Sequence, residues 1–276
     1  MSEESFQARD DQLSVAERRE MIVRLLLEQD SVTVKELTER FQVSTMTAHR
    51  DLDALAERGV LRKVRGGATA QPTALYESSL TFRLSEMREA KEQIARVAAT
   101  QVEPGSSLVL DDSTTGLAMI PYLAQIPELT IVTTFVSIVD EVSRLNDGAL
   151  RLIGIGGAYD PKYHAFGGVM AEQALRNLRV DRCFVACLVD LRRGAFHREP
   201  EQAAVKRTMI EIADHCTLLA DSSKFSKRGM HRIVELDAFD RAVVDDGTDP
   251  AIVSALRSQG IDVDVAGPAT DARKVS

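Results

Sequence analysis

In the N-terminal part of the chain the apolar residues fall three and four apart, the spacing that buries one face of a helix. Ile22, Leu25 and Leu26 form such a set within residues 15–28, and Val34, Leu37 and Phe41 form another within 34–41. Gln42 and Val43 leave room only for a tight crossing before a third helical stretch. Ser44 caps that stretch through its hydroxyl, and its inward stripe reads as Met46, Leu52 and Leu55. Gly59 stops the helix, and Leu61 to Val64 followed by Gly66 and Gly67 reads as two short strands around a turn. Residues 70–82 break regular structure at Pro72 and read as a surface connector, followed by a helix over 84–101. From Ser106 onward compact apolar runs (SLVL, TIVTT, LRLIGI, RCFVACLV, TLLAD, RAVVDD, IDVDVA) alternate with helical stretches. Several runs are apolar on both faces, the mark of strands covered by helices on each side, so a mainly parallel α/β sheet is predicted.

With 276 residues and 44% hydrophobic content the chain can fill one small and one medium core. The expected division is a domain over 13–70, a linker over 71–83 and an α/β domain over 84–268, with a mobile polar start and a disordered tail after Pro268. The net charge is -8, yet residues 43–70 carry five basic residues (Arg50, Arg58, Arg62, Lys63, Arg65) against three acidic ones (Asp51, Asp53, Glu57), a local +2. So modest a patch argues for a homo-oligomer, dimer or tetramer, that presents more than one copy. No apolar run reaches the roughly 18 residues of a membrane span, and the polar start is not a signal peptide, so a cytoplasmic protein with no membrane partner is expected. Cys183 and Cys187 lie four apart on one predicted strand, about 13 Å, too far to share a metal or a disulfide, and read as core residues. Cys216 follows His215 without a second pair at ligand spacing, so no metal site is expected.

Thr45, Thr47, His49 and Arg50, with Ser44 at the cap, face outward near the start of the third helix, where side chains reach a major groove. Arg62, Lys63 and Arg65 decorate the strand pair as a basic wing for phosphates. The plainer alternative is an ordinary helix pair with solvated charges.

In open α/β sheets ligands collect beyond the carboxyl ends of strands. There the sequence places Asp111-Asp112-Ser113-Thr114-Thr115-Gly116, Thr133-Thr134, Gly154-Ile155-Gly156-Gly157 and Asp221-Ser222-Ser223-Lys224. Each also reads as a helix cap or turn. Taken together they suggest a small phosphorylated polyol or sugar, with amides and Lys224 on the phosphate and carboxylates accepting from hydroxyls. A dinucleotide is disfavoured because GIGGAYDP lacks the third glycine and the helix opening of that fingerprint, and no cofactor is expected. The histidines form no nucleophile or base pattern, so no catalytic residue is assigned; His164 and His197 fall in loops near strand ends.

Val43, Ser44, Thr47, Arg50, Asp51, Leu52, Leu55, Gly59, Arg62, Gly66, Gly67 and Ala68 together resemble the signature of the DeoR family of bacterial regulators. The resemblance extends through the larger domain. It implies a winged helix-turn-helix that binds a double-stranded DNA operator, and a sensor domain similar in fold to sugar-phosphate isomerases that binds a phosphorylated sugar. The implied effector positions are Asp111, Ser113, Thr114, Thr115, Thr134, Gly156, Gly157, Gly167, Glu201, Lys206, Asp221, Ser223 and Lys224. The chain departs from the family at Ala48 and His49, where an aliphatic and a basic residue are usual. It departs again at Ser113 for glycine, at Thr134 for asparagine, and at Ala186-Cys187 for a glycine-containing strand end. Glu201 and Lys206 are five apart and do not share a helix face. The reading is a repressor of a carbohydrate-catabolism operon. An activator built of the same parts is one alternative. Another is a sugar-phosphate isomerase or deaminase with an accessory domain, with Asp111, Asp112 or Glu201 as base.

Overall fold

The structure, a computed structural model, describes residues 13–29, 31–57, 59–70, 80–145 and 150–268. The polar start, Arg58, most of the expected connector with Pro72, and the tail after Pro268 lie outside them. The chain divides into two compact units, Met1–Glu86 and Met87–Ser276.

The first unit holds α1 (Val15–Gln29), β1 (Ser31–Thr33), α2 (Val34–Phe41), α3 (Thr45–Glu57), β2 (Leu61–Val64) and β3 (Gly67–Ala70). Thr33 caps α2 by accepting from the Glu36 amide at 3.1 Å, and Gln42 turns the chain out of it in the left-handed region, φ 51°. Ile22, Leu26, Leu37, Leu52 and Leu55 close the core, each at most 1% exposed. Met46 does not join them: it is 65% exposed, and Ala48 is buried instead. Ala48, Leu52 and Leu55 keep the three-and-four spacing, whereas Met46, two residues before Ala48, points about 200° away.

The strands form an antiparallel sheet in the order β1-β3-β2. The β2–β3 hairpin is the expected wing, while β1 carries no sequence signal, because only Val32 of its three residues is buried. Gly67 makes the pairing possible, since a Cβ there would lie 2.1 Å from the Val32 carbonyl oxygen. At the end of the expected connector, Leu80–Ser85 form α4, and Phe82 is buried among the apolar residues of this unit.

In the second unit the helix expected over 84–101 is interrupted at Met87, φ 53°, and resumes as α5 (Arg88–Ala99). The first half continues with β4 (Ser107–Leu110), α6 (Thr114–Leu123), β5 (Thr130–Thr133), α7 (Val136–Leu145), β6 (Arg151–Gly154), β7 (Ala158–Asp160), β8 (Ala165–Gly167) and α8 (Gly168–Arg176). The second half runs β9 (Val180–Ala186), β10 (Leu188–Asp190), β11 (Gly194–His197), α9 (Pro200–Glu211), β12 (Ala213–Ala220), β13 (His231–Val234), β14 (Arg241–Asp245), α10 (Pro250–Ser258) and β15 (Asp262–Ala266).

Seven of these strands form one sheet, order β15-β14-β12-β9-β4-β5-β6, and every neighbouring pair is parallel. Parallel neighbours cannot be joined by hairpins, so helices cross between them and bury both faces. Leu108, Leu110, Ile131, Phe184, Leu218 and Val243 are fully buried in consequence. The run RCFVACLV does not make a single strand: β9 ends at Ala186, and beyond Cys187 the chain enters a separate antiparallel sheet, order β10-β11-β13. A β7–β8 hairpin completes the unit, with Ala165 bridging to Phe135 just beyond β5. Because the seven strands share one direction, the turns after β4, β5, β6, β9 and β12 gather at one edge.

Gly67→Ala should destabilise the first unit by about 1–3 kcal/mol through the clash with Val32, read as a lower urea midpoint. An unchanged midpoint would show that β1 is not paired at this register.

Candidate functional site

Two surfaces carry chemistry, one on each unit. On the first, the opening turn of α3 is fixed by Ser44, whose Oγ accepts from the Thr47 amide at 3.1 Å and lies 2.9 Å from the Thr47 hydroxyl. Those two hydroxyls therefore serve each other and the cap. Thr45, Met46, His49 and Arg50 are the exposed side chains of this turn and the next. In the hairpin Arg62 and Arg65 are exposed with no carboxylate partner among the described residues, whereas Lys63 Nζ pairs with Asp53 at 2.5 Å. Asp51 follows Arg50 directly but faces inward, 1% exposed, and accepts from Arg18 Nε at 2.6 Å and Arg19 Nε at 2.8 Å. It ties α1 to α3 and leaves Arg50 as the outward charge.

On the second unit the strand ends of β4 and β9 and helix α9 meet at Asp111, which is fully buried after β4. Its Oδ1 accepts from the Ser113 amide at 3.1 Å, and its Oδ2 from the Ala186 amide at 2.8 Å. Lys206 Nζ, from α9, also donates to Asp111 Oδ2 and lies 2.5 Å from Asp112 Oδ1. Lys206 is 2% exposed. Burial is the largest influence on its ammonium and opposes the charge, but the two carboxylates and their hydrogen bonds outweigh it and hold the pKa above the ordinary lysine value.

Ser113 is the N-cap of α6, its Oγ accepting from the Gly116 amide at 2.9 Å. Its side chain is thus folded back on the helix start rather than filling the loop. The Thr115 amide, in the first turn, has no intrahelical acceptor. After β5 the two threonines differ. Thr133 Oγ1 donates to the Leu110 carbonyl at 2.9 Å and accepts from the Phe135 amide at 3.0 Å. Thr134 Oγ1, on a residue 1% exposed, makes no hydrogen bond among the described residues.

After β12, Asp221 Oδ1 accepts from the Ser223 amide at 3.1 Å and the Ser223 hydroxyl at 2.5 Å. Asp221 Oδ2 is buried without a hydrogen bond, 3.5 Å from Lys224 Nζ. The turn is propped from beneath by Asp245, which accepts from the Ser222 amide at 2.6 Å and the Thr248 hydroxyl at 3.1 Å. Asp245 had no motif to mark it.

Gly157 lies against the Gly167 carbonyl, where a Cβ would come within 2.5 Å, while Gly156 is exposed with open space around it. Glu201 is exposed and does not reach the cluster; Gln202, four residues before Lys206 and on the same face, is 2% exposed. Its Nε2 would lie 3.2 Å from a Cβ on Gly167. Sequence reasoning missed Gln202, and the i,i+4 relation to Lys206 was the signal available.

His164 Nδ1 bonds Ser137 Oγ at 2.9 Å, and the His197 ring lies 5.1 Å from that of Tyr163, tilted by 52°. All three cysteines are free and buried. Burial pushes the Cys187 thiol up to about 12. Cys183 and Cys216 are direct register partners on β9 and β12, a pairing that the sequence order conceals.

Residues 18–73 match the DeoR-like helix-turn-helix domain, and residues 86–246 match the DeoR C terminal sensor domain. The chain is similar to the uncharacterized HTH-type transcriptional regulator YulB of Bacillus subtilis, at 34% identity over 90% of this chain and 96% of that one. It is similar also to the transcriptional repressor AccR of Agrobacterium fabrum, at 33% identity over 85% of this chain and 91% of that one. Among solved structures, ribose 5-phosphate isomerase A of Methanocaldococcus jannaschii is similar over 50% of this chain and 55% of that one, at 13% identity and a TM-score of 0.34.

Asp51→Ala leaves the half-buried Arg18 and Arg19 without their carboxylate and should destabilise the first unit by about 1–3 kcal/mol in urea unfolding. Lys206→Met leaves two buried carboxylates uncompensated and should cost the second unit about 3–5 kcal/mol. Because the Lys206 pKa is raised, its contribution is complete below the ordinary lysine value and is lost only above about pH 10. Wild-type stability that already falls between pH 7 and 9 in step with loss of the Lys206 contribution, measured against Lys206→Met, would contradict that assignment.

Proposed function

The chain belongs to the DeoR family of transcriptional regulators, and from that premise we propose that it represses a carbohydrate-catabolism operon until a phosphorylated sugar binds its larger unit. It is a DNA-binding regulator, not an enzyme, as its relatives are. The observation that carries the effector reading is the pair of buried polar atoms left without hydrogen bonds at the same edge of the sheet, Thr134 Oγ1 after β5 and Asp221 Oδ2 after β12, with the ends of β9 and β4 between them. Such atoms are costly unless something satisfies them. A hydroxyl-rich ligand supplies donors to the carboxylate and an oxygen to the threonine. The α6 N-terminus and Lys224 then serve its phosphate.

Lys206 has a different task in this reading. Its charge is taken up by Asp111 and Asp112, so it positions the loop, and Lys224 is the lysine that meets the ligand. On the DNA side, Thr45, His49 and Arg50 read base edges in the major groove, and Arg62 and Arg65 hold phosphates on the wing. Exposed Met46 adds an apolar contact suited to a thymine methyl group. The weak local charge favours a homo-oligomer that engages two half-sites, in the cytoplasm where the operator lies. Effector binding shifts the oligomer toward an arrangement that no longer matches the half-site spacing. A coupling of about 1–3 kcal/mol weakens DNA binding about 5 to 150-fold.

Two substitutions separate input from output. Lys224→Ala should keep operator affinity and lose release by effector, whereas Arg50→Ala should lose at least about tenfold in operator affinity while keeping thermal stabilisation by effector. The measurement is a mobility-shift titration on the chain's own promoter region, with and without members of a phosphorylated-sugar panel, across salt concentrations. Absence of any preference over random DNA would defeat the DNA-side assignments. Normal release of the Lys224→Ala protein would remove that lysine from the site.

A further inference from the structure

Next to the strand-end site lies a second groove, of about 630 Å³, whose rim is formed by two basic turns. One turn carries Arg192 and Arg193, between β10 and β11, and the other Lys227 and Arg228, before β13. Phe196, Phe225 and Ile252 contribute the apolar part of its wall. Three exposed arginines, Arg192, Arg193 and Arg228, share the lining with one carboxylate, Asp190, and that carboxylate is engaged by the backbone, accepting from the Arg192 amide at 2.9 Å. Among the described residues no acidic side chain pairs with Arg192, Arg193 or Arg228, and all three are exposed.

Both turns are built, not loose. The first is closed by the Arg193 amide on the Asp190 carbonyl at 3.1 Å. The second is pressed onto β11 at Gly229, where a Cβ would lie 2.6 Å from Phe196 Cβ, and is tied down by the Met230 amide on the His197 carbonyl at 3.0 Å. Guanidinium groups carried on fixed turns around a partly apolar cleft of this size match a ligand carrying several negative charges and a flat apolar body.

We infer that this groove is a second ligand site, for a polyanion bearing a ring, of which a nucleoside polyphosphate is the class that carries both features. Its walls are continuous with the strand-end site. β10 begins one residue after Cys187, next to the Ala186 amide that holds Asp111, and Phe225 follows Lys224 within the short 3-10 turn Ser222–Phe225. A ligand seated on Phe225 therefore restrains the turn that aims Lys224, and couples the two sites. Binding in the groove stands on the groove alone; only the coupling rests on the effector reading above.

The test is calorimetric titration of the full chain with ATP and, separately, with tripolyphosphate. ATP should bind saturably, more tightly than tripolyphosphate, and Arg192→Glu with Arg228→Glu should lower its affinity by about tenfold or more while the melting temperature stays unchanged. Lys224→Ala should change it by less than about threefold, having lost no direct contact to this ligand. No saturable ATP binding, or binding indifferent to the two arginines, overturns the proposal. Equal binding of tripolyphosphate removes the ring from it. Loss of ATP binding in Lys224→Ala alone would place the ligand in the strand-end site and leave the effector reading standing. If the double variant instead loses DNA affinity or changes oligomeric state with no change in ATP binding, the groove serves a macromolecule and the inference fails.

Discussion

The larger unit is organised around one buried carboxylate. Asp111 closes β4 against β9 through the Ala186 amide, starts the turn into α6 through the Ser113 amide, and holds α9 through Lys206. A carboxylate this deep is costly unless hydrogen bonds and opposite charge compensate it, and here it receives two amides and an ammonium. The consequence is positional. The loop after β4 cannot drift from the end of β9 while Asp111 holds the Ala186 amide, nor from α9 while Lys206 holds Asp111 and Asp112, so this part of the edge where ligands collect is held in one geometry before any ligand arrives.

The smaller unit uses the same device for a different purpose. Asp51 sits in the middle of the most recognisable stretch of the chain, beside Arg50, yet its carboxylate is turned into the core onto Arg18 and Arg19. It fixes the angle at which α3 leaves α1, and the charges that project from α3 inherit that angle. Neighbouring residues in one motif thus do opposite work: Asp51 is architecture, and Arg50 is surface.

The overall acidity of the chain becomes intelligible on these terms. A net charge of -8 sits poorly with binding DNA until the carboxylates are placed. Asp51, Asp111, Asp112 and Asp221 are buried, and all four are paired with cations inside the protein. Meanwhile Arg50, Arg62 and Arg65 stay outward without acidic partners among the described residues. What a partner meets is set by exposure, not by the sum.

Much of this was legible in the order of residues. Period-three-and-four apolar spacing located the helices of the first unit, two-faced apolar runs announced a parallel sheet, and the direction of such a sheet obliges its strand-end turns to lie together, so Asp111, Thr134 and Lys224 could be grouped while far apart in sequence. Those inferences succeed because helix and strand periods are local properties of the backbone. What needed the fold was everything set by non-local contact. Only tertiary packing decided that Met46 faces out while Ala48 faces in, and that Ser31–Thr33 pair with the wing across Gly67. It likewise turned inward the face of α9 that Gln202 shares with Lys206, leaving Glu201 exposed. Which of two neighbouring hydroxyls, Thr133 or Thr134, stays unsatisfied was decided in the same way. A sequence states which side chains are available, but burial and hydrogen-bond satisfaction are settled by what the rest of the chain brings within about 3 Å of them.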